Sequence, residues 1–271
     1  MRATKTLRHG LIVALLALAF SCSKVPLTGR RQVSLLPESE LISLSLGEYQ
    51  GFLKQHPALQ ASDERTAMVK RCGLRIQNAA TAYLKKHKLG KRVDGYKWEF
   101  NLVDDKTVNA WCMPGGKVVV YTGLLEVTQN ENALAVVMGH EIAHAIARHG
   151  NERMSQQLMV QAGGVALQVA ISNQSTLTKG IFEQAYGIGA SIGLILPYSR
   201  LHETEADKLG LVFAAMAGYD PREAPRFWQR MASQGGSKAP VLLSTHPSNE
   251  QRIRDLNAFM PEAMKVYKPN S

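Results

Sequence analysis

The residues best suited to chemistry in this 271-residue chain lie together in one apolar run over 131–150, ENALAVVMGHEIAHAIARHG. Within it stands His140-Glu141-Ile142-Ala143-His144. On a helix His140 and His144 are one turn apart on the same face, so both imidazoles can reach one ion. Glu141 lies about 100° round from His140, close enough to hold a metal-bound water without binding the metal. The chemistry open to such a set is hydrolysis: a divalent ion acidifies a water and polarises a carbonyl, and a carboxylate takes the proton. A lone histidine on an apolar helix is more often a hydrogen-bonded core residue. Here three ionisable groups sit among Leu134, Val136, Val137, Ile142 and Ile146, and burying them together is costly unless a metal pairs with them.

A catalytic zinc needs a third protein ligand and an open position for water. The downstream run Ser199-Arg200-Leu201-His202-Glu203-Thr204-Glu205-Ala206-Asp207 offers several candidates. Glu203 and Asp207 share a helix face, whereas Glu205 points the other way and His202 is a quarter turn off. Glu203 with Asp207 is therefore the best pair, one ligating and the other accepting a hydrogen bond from a ligating histidine. Glu205 and Lys208 fit a solvated face better.

These groups must be placed by surrounding elements, and the pattern predicts an α+β fold, mostly helical, with a small sheet. The motif helix opens on a capping box (Thr128 with Glu131) and closes at Gly150. Helices are expected over 38–54 and 63–86, the second with Ala67, Leu74, Ala79 and Leu84 among charges. A strand over 98–103 precedes Pro114-Gly115-Gly116, a strong turn signal around which two strands pair, the second at 117–121. Ala- and Gly-rich helical stretches follow over 154–171 and 178–196. The apolar part of the latter is too short for a membrane span and carries Glu183 and Gln184. Helices over 199–217, after Asp220-Pro221 and after Ser248 complete the chain. No repeat of 20–50 residues is visible.

The formal charge is +10, from 32 basic and 22 acidic residues, and no dense basic block with interleaved aromatics appears. That argues against nucleic acid as a partner and allows attraction to an anionic membrane. Arg2, Lys5 and Arg8 precede ten apolar residues, 11–20, and then Ser21-Cys22, the layout of a secretory signal. The small residue before Cys22 resembles a bacterial lipoprotein signal, and the polar stretch 23–37 reads as a tether. Cys72 and Cys112 are left to pair or to stay free.

HExxH, SRxxExEADxxG about 60 residues on, and then Ser244-Thr245-His246-Pro247 leading to Arg252 resemble the HtpX and CAAX-prenyl-endopeptidase-like zinc peptidases. These are gluzincins of the forty-eighth metallopeptidase family, and the likeness is to their bacterial lipoprotein members. Matching segments run from Pro26-Leu27-Thr28-Gly29-Arg30 to Arg252. The resemblance implies a zincin-like fold with one zinc ion, bound by His140, His144 and Glu203. It implies Glu141 as general base, Asp207 orienting a ligand, and His246 and Arg252 near substrate and oxyanion. Residues 117–121, with Gly116, Lys117, Val118 and Val119, are expected to form the edge strand that receives an extended substrate. The expected product is a metalloendopeptidase acting on unfolded or misassembled envelope polypeptides. The layout divides into a signal peptide (1–21), a lipidated tether (22–37) and a peptidase domain (38–271). Its expected place is the periplasmic side of the outer membrane, with outer-membrane assembly machinery as a partner. A chaperone-like factor with a closed zinc site, His246 folded in as a fourth ligand, is the alternative.

Overall fold

The computed structural model describes residues 22–170, 176–186, 198–234, 240–246 and 250–269. The expected signal peptide, the expected helical residues 187–196 and the helix start expected at Ser248 lie outside those residues. The chain begins with an antiparallel pair, β1 (Cys22–Lys24) and β2 (Arg31–Val33). Helices α1 (Glu38–Gln55) and α2 (Glu64–Lys86) follow, then a short 3-10 turn and the strands β3 (Glu99–Val103), β4 (Ala110–Met113) and β5 (Lys117–Tyr121). After α3 (Thr122–Thr128) come the motif helix α4 (Glu131–Ala147), α5 (His149–Ala170) and α6 (Thr176–Tyr186). The C-terminal part holds α7 (Arg200–Met216), α8 (Glu223–Ser233), α9 (Val241–Thr245) and α10 (Glu250–Met264). The fold is α+β, and among the described residues no helix is long and apolar enough to cross a membrane.

Every residue of α4 from Ala133 to Ala147 is buried, so the helix has no solvent face. A helix apolar all round must sit at the centre of its domain, and α4 does, with α2, α7, α8 and β4 against it. Its closest neighbour is α7, and two glycines set that closeness. A Cβ on Gly210 would come within 2.7 Å of the Gly139 carbonyl carbon and of the His140 backbone nitrogen. Only bare backbone lets the two helices touch there, one residue from His140, and this brings the carboxylates of α7 up to the α4 histidines.

Several local expectations need correction. The cap of α4 is Asn130, whose side chain accepts from Ala133 N at 2.9 Å. Thr128 instead turns its hydroxyl back to Leu125 O and closes α3. Gly150 does not end the helix. Arg148 does, in a left-handed conformation at φ 61°, and α5 starts at the next residue. The expected tether is packed structure: Val25 and Leu36 are buried, and Gln32 donates to Ala147 O at 2.8 Å. Cys72 and Cys112 are buried free thiols.

The sheet order is β3-β5-β4. Two strands do pair around Pro114-Gly115-Gly116, where both glycines take positive φ. However, β5 is the central strand. It runs parallel to β3 and antiparallel to β4, with all five residues buried. The main chain of Gly116, Lys117, Val118 and Val119 is thus flanked by the two neighbouring strands and cannot receive a substrate strand. Lys117 is buried, its ammonium on Glu99 at 2.5 Å. The edge lies at β4, the shorter strand on the other side of the turn.

Candidate metal centre

Four buried side chains converge from three parts of the chain. His140 and His144 come from α4, Glu203 from the first turn of α7, and His246 from the end of α9; each offers one donor atom within 4.8 Å of the others. His140 Nε2 lies 3.0 Å from His144 Nε2 and 3.1 Å from His246 Nδ1. Glu203 Oε1 is 3.2 Å from His144 Nε2 and 2.9 Å from His246 Nδ1, and its Oε2 is 3.4 Å from His140 Nε2. A tetrahedron with metal–ligand bonds of about 2.0–2.1 Å has edges of about 3.3 Å. The spacings match, and nitrogen lone pairs turned on one another at 3.0 Å repel unless a cation or proton lies between them. The donor set therefore fits a zinc ion.

Glu141 stands beside this cluster. Among the described residues its buried Oε1 takes no hydrogen bond, and His246 Nε2 is 3.4 Å away. Burial raises its carboxyl pKa, against the opposing pull of His246 and His140. Glu203 behaves oppositely: burial would raise it, but His246, Arg252 and His140 hold it well below the usual carboxylate range.

Two carboxylates support the histidines from behind. Asp207 Oδ1 is 2.9 Å from His140 Nδ1. Arg252, expected near substrate, makes buried ion pairs at the wall of a cleft that Glu203 and Asp207 also line. It grips Asp207 with Nε at 2.8 Å and Nη2 at 2.7 Å, reaches Glu203 Oε2 at 2.9 Å, and stacks 3.4 Å above the Trp228 ring. Its side chain is only 5% exposed, so its role is to neutralise two buried carboxylates.

The other side went unseen in the sequence. His149 Nδ1 is 3.0 Å from His144 Nδ1, and its Nε2 is 3.1 Å from Glu205 Oε2. Glu205, read as solvated, is 2% exposed and bonded to Thr28 and Arg30. Arg30 also holds Glu152 bidentately at 2.7 Å, and Glu152 accepts from His202. Burial opposes ionisation of Glu205, but His149, Arg30 and Thr28 hold its pKa at about 2. The one available signal was the Thr28-Gly29-Arg30 segment, which had matched the family pattern without a role.

A cleft lies along β4, lined by Trp111, Met113, Glu141, Tyr198, Thr245 and His246 among others. No strand among the described residues pairs with the outer side of β4. Tyr198 lies against the His144 ring, centroids 3.9 Å apart, and the Arg153 guanidinium sits 4.0 Å from the Tyr198 ring centroid.

An HExxH helix crossed by a carboxylate-bearing helix, with a small sheet edge alongside, defines a zincin-type metallopeptidase domain. A profile described as Peptidase family M48 matches residues 74–260, and the chain belongs to that family. It is 36% identical over 195 residues to the mitochondrial metalloendopeptidase OMA1 of Arabidopsis thaliana, covering 71% of this chain and 38% of that protein. Against the human OMA1 metalloendopeptidase the identity is 30% over 261 residues, 89% of this chain and 46% of the relative. A putative beta-barrel assembly-enhancing protease of Vibrio cholerae is 34% identical over 179 residues, 63% of this chain and 35% of the relative. The chain thus spans about half or less of the length of these relatives. These likenesses correct the expected localisation. The plant, yeast and vertebrate relatives are named mitochondrial metalloendopeptidases, which counts against the expected place as a lipoprotein on the periplasmic side of a bacterial outer membrane. They lend no support to lipid anchoring at Cys22, whose backbone opens β1 opposite Val33.

Proposed function

We propose that this chain is a zinc-dependent metalloendopeptidase with one ion per chain, held by His140, His144 and Glu203, with Glu141 as general base. The observation that carries this reading is the convergence of the buried His140, His144 and Glu203 donor atoms at ligand spacing, with the buried Glu141 carboxylate beside them. A zinc ion in that set would supply a water acidic near neutral pH and polarisation of the scissile carbonyl. Glu141 would take the proton from the attacking water and deliver it to the leaving amine. Asp207 keeps the His140 proton on Nδ1 and so keeps Nε2 free to ligate.

The substrate is an extended polypeptide laid along β4 as an added strand. Main-chain hydrogen bonds would dominate its recognition, so selection is for unfolded or misassembled chains over particular side chains. That suits a protein quality-control role, in keeping with the protease names of the relatives.

One observation favours a second reading. His246 Nδ1 sits at ligand spacing from His140 and Glu203. A fourth protein ligand closes the position that water needs, as in a structural zinc site. The protein would then hold unfolded chains and assist their assembly, cleaving rarely. In an assay of zinc content and casein digestion, Glu141→Gln should keep its zinc and lose about 10²–10⁴ of its cleavage; undiminished cleavage rejects the base assignment. His246→Ala divides the two readings of that residue. Faster basal cleavage marks it as the closing ligand, whereas a loss of about 10²–10³ with zinc retained marks it as an oxyanion donor.

A further inference from the structure

Behind His144 runs a single file of hydrogen bonds with one consistent proton assignment. His144 Nε2 faces Glu203 and His140, so a neutral, ligating His144 carries its proton on Nδ1. Among the described residues its partner is His149 Nδ1 at 3.0 Å, which must accept and therefore keeps its own proton on Nε2. His149 Nε2–H then donates to Glu205 Oε2 at 3.1 Å. The second oxygen of Glu205 accepts from Thr28 Oγ1 at 2.7 Å and Arg30 Nε at 2.9 Å, and Arg30 Nη2 reaches Oε2 at 2.9 Å. His149 is fully buried and Glu205 nearly so. The left-handed turn at Arg148 makes this possible. It ends α4 four residues after His144 and swings His149 back beneath the His144 ring, centroids 4.9 Å apart.

We infer that His149 and Glu205 are positioning residues for His144, and that Thr28 and Arg30 of the 22–33 hairpin lock this support, making the hairpin part of the metal centre. The inference rests on the zinc reading above and deepens it. A carboxylate two bonds behind a ligating imidazole raises its basicity and fixes its ring, here through a second imidazole. The hairpin contributes no ligand, yet its guanidinium fixes the carboxylate on which the tautomer depends. Arg30 also fills the space between Glu205 and Glu152 with a positive charge, so this polar cluster holds its own cation.

The test measures zinc affinity by chelator competition for the wild type, Glu205→Gln, Thr28→Val and Arg30→Lys, with the absorption spectrum of the cobalt(II)-loaded proteins. Glu205→Gln should weaken zinc by about 10–100-fold, with smaller losses for the hairpin variants. Its cobalt bands should shift, because an amide in place of the carboxylate alters the basicity of His144. A role confined to stability would lower the melting temperature of the metal-free protein and leave affinity and cobalt bands as in the wild type; that result overturns the inference. Should Glu205→Gln fail to fold, Thr28→Val removes one hydroxyl donor only, and wild-type affinity in both it and Arg30→Lys is equally fatal. A wild type that binds no zinc would instead defeat the zinc reading, which the same titration reveals before any variant is compared.

Discussion

The two HExxH histidines are supported by carboxylates of the same helix, α7, and each carboxylate is gripped by an arginine from one end of the chain. Asp207 touches His140 directly and is held by Arg252 of α10. Glu205 reaches His144 only through His149 and is held by Arg30 of the N-terminal hairpin. Helix geometry explains the difference. Glu203 and Asp207 are four residues apart on the face turned to α4, whereas Glu205, two residues from each, is about 200° round the helix. It cannot reach His144 itself, and the gap is one imidazole wide. The direct side is drier, with Arg252 at 5% side-chain exposure against 22% for Arg30.

That contrast sets the largest expected effect. Arg252→Met leaves Glu203 and Asp207 ionised and buried side by side, and should destabilise the protein by about 3–5 kcal/mol. Arg30→Met leaves Glu205 and Glu152 with donors still in place from Thr28, His149 and His202, and with water near at hand. Its cost should be about 1–3 kcal/mol. Urea unfolding of the two variants measures the difference, and equal losses would mean that the two sides are energetically alike.

How much of this was legible follows the same line. The direct side was readable because everything on it obeys short-range helix periodicity: His140 to His144, Glu203 to Asp207. The α+β layout and most helix positions were readable for the same reason. The indirect side depends on a left-handed Arg148 that no glycine announced, and on contacts across more than a hundred residues from Arg30. A charged residue such as Glu205 looks solvated until the partner that buries it is known. The edge strand was misassigned because both β4 and β5 flank the turn, and which of them is central depends on β3, a partner far away in sequence. The contacts of Arg252 with Trp228 and Asp207 join residues distant in sequence, so no local pattern announces them.

The two sides should also answer pH in opposite senses once the metal is removed by chelator. Burial lowers the His149 pKa to about 4, even with Glu205 beside it. A histidine whose folded pKa lies below its free value contributes fully above about pH 6.5 and loses that contribution as pH falls toward 4. For His140 burial acts downward too, but Glu203 and Asp207 outweigh it and raise the pKa to about 9. Its contribution is complete below about pH 6.5 and is lost as pH rises through 9. Metal-free stability should fall on both limbs, each by up to about 1.4 kcal/mol per pH unit for one proton. His149→Gln should reduce the acid limb in thermal unfolding, leaving the share of His144, whose pKa burial also lowers, and should leave the alkaline limb in place. An unchanged acid limb would put the acid sensitivity on other groups.

The smallest effect concerns the helix that carries both carboxylates. Ser199 caps α7, its hydroxyl accepting from His202 N at 3.2 Å. The first turn it secures bears His202, which reaches Glu152, and Glu203, which faces the histidine cluster. Asp207 lies a further turn on, where the helix is locked against α4 by Gly210. Ser199→Ala should therefore cost about 0.5–1 kcal/mol, the ordinary loss of a serine cap, and the loosening should stay within that first turn. Hydrogen exchange should quicken at His202 and Glu203 while Leu209 and Gly210 keep wild-type protection. Faster exchange through Leu209 as well would mean that α7 opens as one unit, and that the two supports share a single mechanical fate despite their different construction.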